Sequence, residues 1–215
     1  MAVYTKISKK DISIINDNFE FEKITSFHGI KKGIENTNYL IKSKNKKYIL
    51  TIFEKRVSKT EIPFFMKLMD VLNNSKINCP KPLKTKHKSY LFQLKKKSAC
   101  IVTFLEGRDK KILNSSDCYS IGKTIARMHL VTKKIKFKRK NSMGIKKLNP
   151  LLKNIKFKSK QYSNLKIFLR RNLNDIKKNW PKNLPEGIIH ADLFVDNIFF
   201  IKNKLSGIID FYFAA

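Results

Sequence analysis

The chain has few cysteines and no long apolar run, and both features limit the classes of protein to which it can belong. Its 215 residues include three cysteines, Cys79, Cys100 and Cys118, which lie far apart and form no CxxC pair. Such a set excludes a disulfide framework and a zinc site and indicates reduced thiols in the cytosol. No apolar stretch approaches the roughly 20 residues of a membrane helix, and the charged start, MAVYTKISKKDISII, lacks a secretory cleavage site. We expect a cytoplasmic protein without a membrane partner.

Arginine is scarce too, in a chain whose formal net charge is +31. So basic a chain suggests a polyanionic partner, because clustered basic residues release counterions from phosphates. Only six of the basic residues are arginines, however, and arginine is the residue preferred for bidentate phosphate contacts. The lysines are dispersed and accompany abundant Ile and Asn, whose codons are also A/T-rich. Drift in genome composition explains the charge more simply, so we expect no specific nucleic-acid partner.

What the chain does contain is the composition of a folded globular protein, with 42% hydrophobic residues including 16 phenylalanines. A helix is predicted over 8–17, where Ser8 and Asp11 form a capping box, and another over 59–74, with Ser58 and Glu61 in the same register. Strands are predicted at 21–28, 37–43, 47–54, 89–94 and 98–105, and further helices at 115–130 and 159–179. No internal repeat is present.

The pattern changes its period once along the chain, from mainly strands to mainly helices. The polar stretch EGRDKK, residues 106–111, lies at that change and contains a glycine. We therefore predict an α+β fold with a β-rich lobe over 1–105, a hinge over 106–111 and a helical lobe over 112–215.

The last residues, IIHADLFVDNIFFIKNKLSGIIDFYFAA, are apolar yet contain His190, Asp192, Asp196, Asn197 and Asp210. Such polar groups are costly to bury without partners. HADLFVDN matches the HxDLxxxN pattern of kinase catalytic loops, in which the Asp accepts the proton of the attacking hydroxyl. Asp192 is therefore the candidate base, and His190 would brace its loop. Asp196 could assist a metal site or cap the turn, and the alternative is a buried polar network that only organises the turn.

Downstream, NIFFIKNKLSGIID is predicted to form a hairpin with its turn at Asn203-Lys204. In that register Asn197 faces Asp210. Directly opposed residues of an antiparallel pair lie about 4.5–5.5 Å apart. An amide oxygen and a carboxylate at that spacing suit a hard cation such as Mg²⁺, which prefers a few protein oxygens and completes its shell with water and phosphate.

Several stretches together resemble the bacterial homoserine kinase family of the aminoglycoside phosphotransferase-like (kinase-like) superfamily. They are FHGIKKGIENTNYLI, YILTIFEKR, IPFFMKLMDVL, CPKP, IVTFLEG, IGKTIARMHL, IIHADLFVDNIFF and GIIDFYFA, which run over nearly the whole chain. The resemblance implies a bilobal protein kinase-like fold, ATP and Mg²⁺ as cofactors, and phosphorylation of the L-homoserine hydroxyl in threonine biosynthesis. By matching position, Asp192 would be the catalytic base, and Asn197 and Asp210 the metal ligands.

The resemblance also implies a nucleotide site in the first half of the chain. FHGIKKGIENTN, residues 27–38, would be the turn over the phosphates, where glycine permits close backbone approach; an ordinary hairpin turn is the alternative. The backbone of Phe104 to Gly107 would bind adenine. Glu61 would pair with a phosphate-binding cation or simply cap its helix. The expected nucleotide-site residues are Gly29, Gly33, Asn36, Asn38, Phe104, Leu105, Glu106 and Glu61.

The chain departs from the family's pattern in two ways. Many relatives carry a lysine for the α/β-phosphates in the third strand, where YILTIF has Thr51, and Lys55 or Arg56 could substitute. Relatives also continue with further helices beyond IDFYFA, so the chain resembles a member truncated at its C-terminus. We expect a shortened lobe to expose the aromatic residues 211–213, and we place the activity of this exact chain in doubt.

Other readings share some of these features. Kinases of the same fold that act on choline, methylthioribose or an aminoglycoside use the same loop. A basic nucleic-acid-binding protein on a kinase scaffold and an inactive fragment are the remaining alternatives. His129, in ARMHL, is expected to be a core histidine beneath the catalytic loop rather than a participant.

Overall fold

The computed structural model describes residues 3–33, 35–54, 57–142, 144–155 and 162–215, apart from the side chain of Ser163. Lys55 and Arg56, the possible substitutes for a third-strand lysine, lie outside the described residues. Five antiparallel strands form a sheet in the order β1-β2-β3-β5-β4. These strands are β1 (Ser26–Gly29), β2 (Thr37–Lys42), β3 (Lys47–Ile52), β4 (Phe92–Leu94) and β5 (Lys97–Thr103). The predicted strands are thus found, although the first begins later than expected.

The strand β2 shows how the sheet divides its side chains. Successive side chains point to opposite faces, and here Thr37, Tyr39 and Ile41 are buried while the residues between them are less so. Tyr39 and Ile41 join an apolar cluster with the first helix, α1 (Lys9–Asn18). Asn38 therefore lies on the opposite face of the sheet.

The first two helices begin differently from one another. In α1 the predicted capping box is present: Ser8 N–H donates to the Asp11 carboxylate at 2.8 Å, and Asp11 N–H donates back to Ser8 Oγ at 3.4 Å. In α2 (Ile62–Asn74) the predicted box of Ser58 and Glu61 is wrong, since Glu61 is the N-cap residue and makes no capping bond with its side chain. Pro63 in the first turn explains the later start, because a proline needs no N–H acceptor there.

Among the described residues, the second half contains three helices, a 3-10 turn at Val195–Asn197 and a hairpin. They are α3 (Ser115–Thr132), α4 (Ile145–Asn154), α5 (Ser163–Lys178), β6 (Ile198–Ile201) and β7 (Lys204–Ile208). The helix α4 was not predicted, although Ile145, Leu148 and Leu152 have helical spacing, because its lysines and the internal Pro150 obscured that repeat. Within the described residues, every helix is too short or too polar to cross a membrane.

One apolar cluster joins the two halves of the molecule. Phe53, Phe65 and Leu72 from the first half pack in it with Ile208 and Phe211 from the second, all of them buried. Because the halves share this core, the hairpin is held against α2 and the sheet rather than extending from a separate lobe.

Two expectations about side-chain exposure are wrong. Phe211 is only 1% exposed, and Tyr212 and Phe213 are partly buried, because the shared core rather than a further helix covers them. His129 is exposed, while its neighbour Met128 occupies the core position on α3.

Candidate active site

A cavity of about 330 Å³ lies between the five-stranded sheet and the β6–β7 hairpin. Its apolar lining includes Ile49, Val102, Phe199 and Ile209. Its polar lining includes Asn38, Thr51, Asn197 and Asp210. Of the twelve residues predicted for the site, the structure places seven around this cavity: Gly33, Asn36, Asn38, Phe104, Leu105, Asn197 and Asp210.

The catalytic loop is braced by His190, which is only 3% exposed. Its Nε2 lies 2.9 Å from the carbonyl oxygen of Ile209 and therefore donates, while Asp192 N–H donates to Nδ1 at 3.3 Å. A ring that donates at one nitrogen and accepts at the other is a neutral imidazole. Burial lowers the pKa of His190, against the opposing effects of the Ile209 carbonyl and the Asp192 carboxylate. The predicted bracing role agrees with this geometry.

Asp192 itself is partly buried, and its backbone is tied to the metal-site candidate that follows it. The Asn197 side-chain nitrogen donates to the carbonyl oxygen of Asp192 at 2.8 Å. The residue before Asp192, Ala191, has a φ of 63°. Non-glycine residues rarely adopt such left-handed backbone, and they do so most often at sites whose surroundings determine it. Neither His190 nor Asp192 lines the cavity; both lie in the loop next to it.

The hairpin has a different register from the predicted one. Its turn lies at Lys202 and Asn203, one residue earlier than expected, and Ile201 pairs with Lys204. Lys202 adopts a φ of 55° in that turn. The pairing then shifts within the strands, because Ser206 is an extra residue in β7 and forms a bulge. A two-residue repeat in the sequence cannot reveal such an inserted residue.

As a result, Asn197 lies opposite Ile209 and not opposite Asp210. The Ile209 N–H donates to the carbonyl oxygen of Asn197 at 2.9 Å. Asp210 follows with a left-handed φ of 64°. Asn197 and Asp210 nonetheless line the same cavity, so the corrected register retains the predicted pair of oxygen ligands.

These two residues fit a hard cation such as Mg²⁺. The Asn197 amide nitrogen is used by the Asp192 carbonyl, so the amide oxygen is the end left for the cavity. Beside it the Asp210 carboxylate provides the charge that such a cation prefers. Within the described part of the chain, no group of three or more His, Cys, Asp or Glu could hold a metal ion. A cation bound here would therefore need water or phosphate oxygens as well.

The turn before β2 borders the open end of the cavity. Gly33 has a φ of 109°, which favours glycine, and no other group lies near the position its Cβ would take. Lys32 also lines the cavity and pairs with Asp109 at 3.1 Å across its edge. Gly29 is not among the lining residues of the cavity, and a Cβ there would lie 2.9 Å from the side chain of Val3, so this glycine allows Val3 to pack. Its role at the phosphates stays a prediction.

Asn36 and Asn38 are held in place by their neighbours. The Glu54 N–H donates to Asn36 Oδ1 at 3.3 Å, and Thr51 Oγ1 donates to Asn38 Oδ1 at 2.8 Å. Thr51, in the third strand, is only 2% exposed. Thr51 is thus a hydrogen-bond partner of Asn38, and as a neutral residue it offers no positive charge to a phosphate.

The hinge approaches the hairpin closely. Phe104 and Leu105 line the cavity as predicted, but Glu106 does not, since its carboxylate pairs with Lys47 at 2.9 Å. Gly107 has a φ of 127°, and a Cβ there would lie 2.9 Å from the Phe200 carbonyl oxygen. The next residue, Arg108, exchanges two backbone hydrogen bonds with Phe200, at 3.0 and 2.8 Å. The bulged Ser206 adds a hydrogen bond from its hydroxyl to the Glu106 carbonyl.

Glu61 is also outside the cavity. Its Oε1 accepts a hydrogen bond from Nε of Arg139 at 2.8 Å. Arg139 is not a lining residue of the cavity, and the pairing of Glu61 with a phosphate-binding cation stays a prediction. The cavity is also lined by Lys32, Ile49, Thr103 and Phe199, which lie in stretches that the sequence analysis singled out but were not themselves predicted as site residues.

Comparisons with known proteins agree with this geometry. The model of a family described as "Phosphotransferase enzyme family" matches residues 26–215. The homoserine kinases of Methylocella silvestris and Bradyrhizobium diazoefficiens are 37% and 39% identical to the chain over 215 and 216 residues. The matches cover 100% of this chain but 67% and 66% of those proteins. The chain thus spans about two thirds of the length of the curated relatives it matches, and the predicted resemblance is confirmed.

Solved structures show the same fold at low sequence identity. A microcompartment-associated aminopropanol kinase has a TM-score of 0.73 at 14% identity, with 96% of this chain and 70% of that chain covered. A spectinomycin phosphotransferase, solved with ADP and its antibiotic, has a TM-score of 0.65 at 14% identity, with 98% and 70% covered. The predicted kinase-like α+β fold is therefore confirmed.

Proposed function

Because the chain belongs to the phosphotransferase enzyme family, we propose that it transfers the γ-phosphate of ATP to the side-chain hydroxyl of L-homoserine, a step of threonine biosynthesis. The observation that supports the reaction class is the connected loop in which Asn197 binds the Asp192 carbonyl beside the cavity. The substrate is supported by homoserine kinases that are 36–39% identical over the full length of this chain. The proposed activity is that of proteins with the relatives' full length, of which this chain spans about two thirds.

The cavity would hold the nucleotide. Ile49 and Val102 from the sheet and Phe199 and Ile209 from the hairpin form two apolar walls suited to a flat adenine ring. The backbone at Phe104 and Leu105 would provide its hydrogen bonds. Mg²⁺, held by Asn197 and Asp210, would neutralise phosphate charge when bound. The turn with Gly33 and Asn36 would cover the phosphates.

Asp192 would act as the general base, taking the proton of the homoserine hydroxyl as it attacks the phosphate. His190 would not touch the substrate. Its two hydrogen bonds, to the Ile209 carbonyl and from the Asp192 N–H, would keep the loop at a fixed distance from the hairpin. Because its imidazole is neutral, His190 would not draw the Asp192 carboxylate away from the substrate hydroxyl.

We further propose a cytoplasmic location and no nucleic-acid partner. All three cysteines are free, and two of them, Cys79 and Cys100, are buried and kept protonated because burial raises their pKa to about 12. Such thiols are typical of proteins in a reducing compartment.

The test is an ADP-release assay on this chain with L-homoserine, choline, methylthioribose and an aminoglycoside as acceptors. Any turnover should occur with homoserine alone, and the Asp192→Asn protein, which keeps the shape but not the basicity, should lose about 10²–10⁴-fold of it. Calorimetric binding of Mg·ADP should persist in that variant. Turnover with another acceptor would overturn the homoserine assignment. Failure of the folded protein to bind Mg·ADP would contradict the kinase proposal as a whole.

A further inference from the structure

Arg139 lies outside the candidate site yet contacts the C-terminal segment, residues 209–215. Its Nε donates to Glu61 Oε1 at 2.8 Å, and one terminal nitrogen donates to the carbonyl oxygens of Ala214 and Phe213 at 3.2 and 3.4 Å. The Arg139 side chain is only 9% exposed. It therefore links the start of α2 to the C-terminal segment.

These contacts require the shape of an arginine. The planar guanidinium has five donors in fixed directions, whereas lysine is a compact charge that cannot reach a carboxylate and two carbonyls at once. The group also lies 5.1 Å from the centre of the Phe65 ring, and its second terminal nitrogen is 3.5 Å from Ser142 Oγ. The neighbouring Lys138 and Lys140 are exposed. Of these three basic residues, Arg139 is therefore the one whose side chain is mostly buried and bound by specific contacts.

The C-terminal segment is fastened to the catalytic loop at both of its ends. At one end the Ile209 carbonyl accepts from His190 at 2.9 Å. At the other, Ala215 exchanges backbone hydrogen bonds with Ile189 at 2.9 and 3.2 Å. Between them Asp210 keeps a φ of 64°. Such backbone persists only where the surroundings hold it, and Arg139 binds the same segment three residues further on, at Phe213.

We propose that Arg139 is a positioning residue for the metal-binding side of the site. By anchoring the C-terminal segment to α2, it holds the Asp210 carboxylate in the wall of the cavity. The inference rests on the proposed function, because it assigns Arg139 to metal-linked nucleotide binding. Losing the anchor should weaken the part of nucleotide affinity that depends on Mg²⁺ and leave the metal-free part nearly unchanged.

The first measurement is the affinity for ADP with and without MgCl₂, in the wild type, Arg139→Lys and Arg139→Met. Lys138→Met is the matched control, since it removes the same charge from an exposed neighbour. We expect Mg²⁺ to strengthen ADP binding by the wild type and the control, and both Arg139 variants to lose about tenfold of that gain, or about 1.4 kcal/mol. Arg139→Lys should resemble Arg139→Met, because lysine lacks the planar guanidinium with donors in fixed directions.

The second measurement needs no ligand. Hydrogen exchange of the amides in residues 209–215 should be faster in the Arg139 variants than in the wild type and Lys138→Met. If Arg139→Met does not fold, Arg139→Lys decides both measurements. A folded Arg139→Lys protein with unchanged exchange and an unchanged Mg²⁺ effect would overturn the inference and leave the kinase proposal intact. Wild-type protein that binds no ADP would instead overturn the proposed function, and with it the role in metal-linked binding.

Discussion

The catalytic segment, residues 188–215, and the helix pair α4–α5 bury their apolar side chains very differently. In the catalytic segment Ile188, Ile208 and Phe211 join the core that also contains α2. In the helix pair Leu152 and Leu173 are buried, but six other large apolar side chains are exposed: Leu148, Leu151, Leu165, Ile167, Phe168 and Ile176. Among the described residues, the buried clusters that contain the catalytic segment include members of α2, the sheet and α3 but none of α4 or α5.

The two regions should differ most in how much stability they lose when a phenylalanine is removed, Phe211 in the catalytic segment or Phe168 in α5. Phe211→Ala removes a ring that is 1% exposed and should lower the free energy of unfolding by about 3–5 kcal/mol, because it leaves a cavity in the shared core. Urea denaturation followed by circular dichroism measures this loss. A loss below about 1 kcal/mol would contradict the shared core.

A glycine exchange tests how closely the hairpin approaches the rest of the fold. A Cβ at Gly207 would meet the Asn78 carbonyl well inside van der Waals contact, while the Gly207 neighbour Ile208 donates its N–H to that carbonyl at 3.0 Å. We expect Gly207→Ala to cost about 1–3 kcal/mol. Gly122→Ala, in α3, is the control, since no described atom outside its own helix turn lies within 4 Å of its Cβ position. It should stabilise the protein by about 0.5–1 kcal/mol. Equal effects of the two changes would show that the hairpin is not docked on the loop at Asn78.

A hydroxyl on α3 provides a smaller link to the catalytic segment. Thr132 is 2% exposed, and its hydroxyl donates to the Ile188 carbonyl at 3.1 Å. Thr132→Val keeps the shape and removes the donor, so it should destabilise the protein by about 1 kcal/mol, while Thr132→Ser should cost less. Thermal denaturation of the three proteins compares them. A serine variant that is less stable than the valine variant would point to packing rather than to this hydrogen bond.

The pH dependence of stability should report His190. Burial lowers its pKa in the folded protein, whereas the unfolded chain binds a proton near the ordinary value of 6.5. The unfolded state then holds more protons, so stability is full above that value and falls as the pH drops below it toward the lower folded-state pKa. Melting temperatures between pH 7.5 and 5.5 should fall more for the wild type than for His190→Gln. Parallel curves for the two proteins would mean that His190 is not held neutral.

The smallest effect is expected in the helix pair. Phe168 on α5 is 60% exposed, so Phe168→Ala should change the free energy of unfolding by no more than about 0.5 kcal/mol. Mg·ADP affinity should also be unchanged. The measurement is the same urea titration as for Phe211→Ala, which serves as its counterpart. A large loss in Phe168→Ala would show that α4–α5 contributes to the core after all, and the contrast between the regions would disappear.

Much of the fold could be predicted because its signals are local. The capping box of Ser8 and Asp11 and the apolar face of α2 involve residues a few positions apart, and both are present in the structure. The predicted face of α5 shows the limit of such patterns, since Leu165 and Ile176 are exposed although their spacing is regular. A periodic pattern reports which side of a helix is apolar, but not whether another element covers it.

The sequence by itself determined the identity of the site's polar residues, because HADLFVDN and the later Asp210 lie within one short segment. Only the tertiary structure decided their arrangement: the bulge at Ser206 changed the register, and the partner of Glu61 proved to be Arg139. These outcomes depend on contacts between residues far apart in the chain, and Arg139 is separated from Glu61 by 78 positions. No local pattern encodes such a pair, since its formation requires the β-rich half, α3 and the C-terminal segment to pack together first.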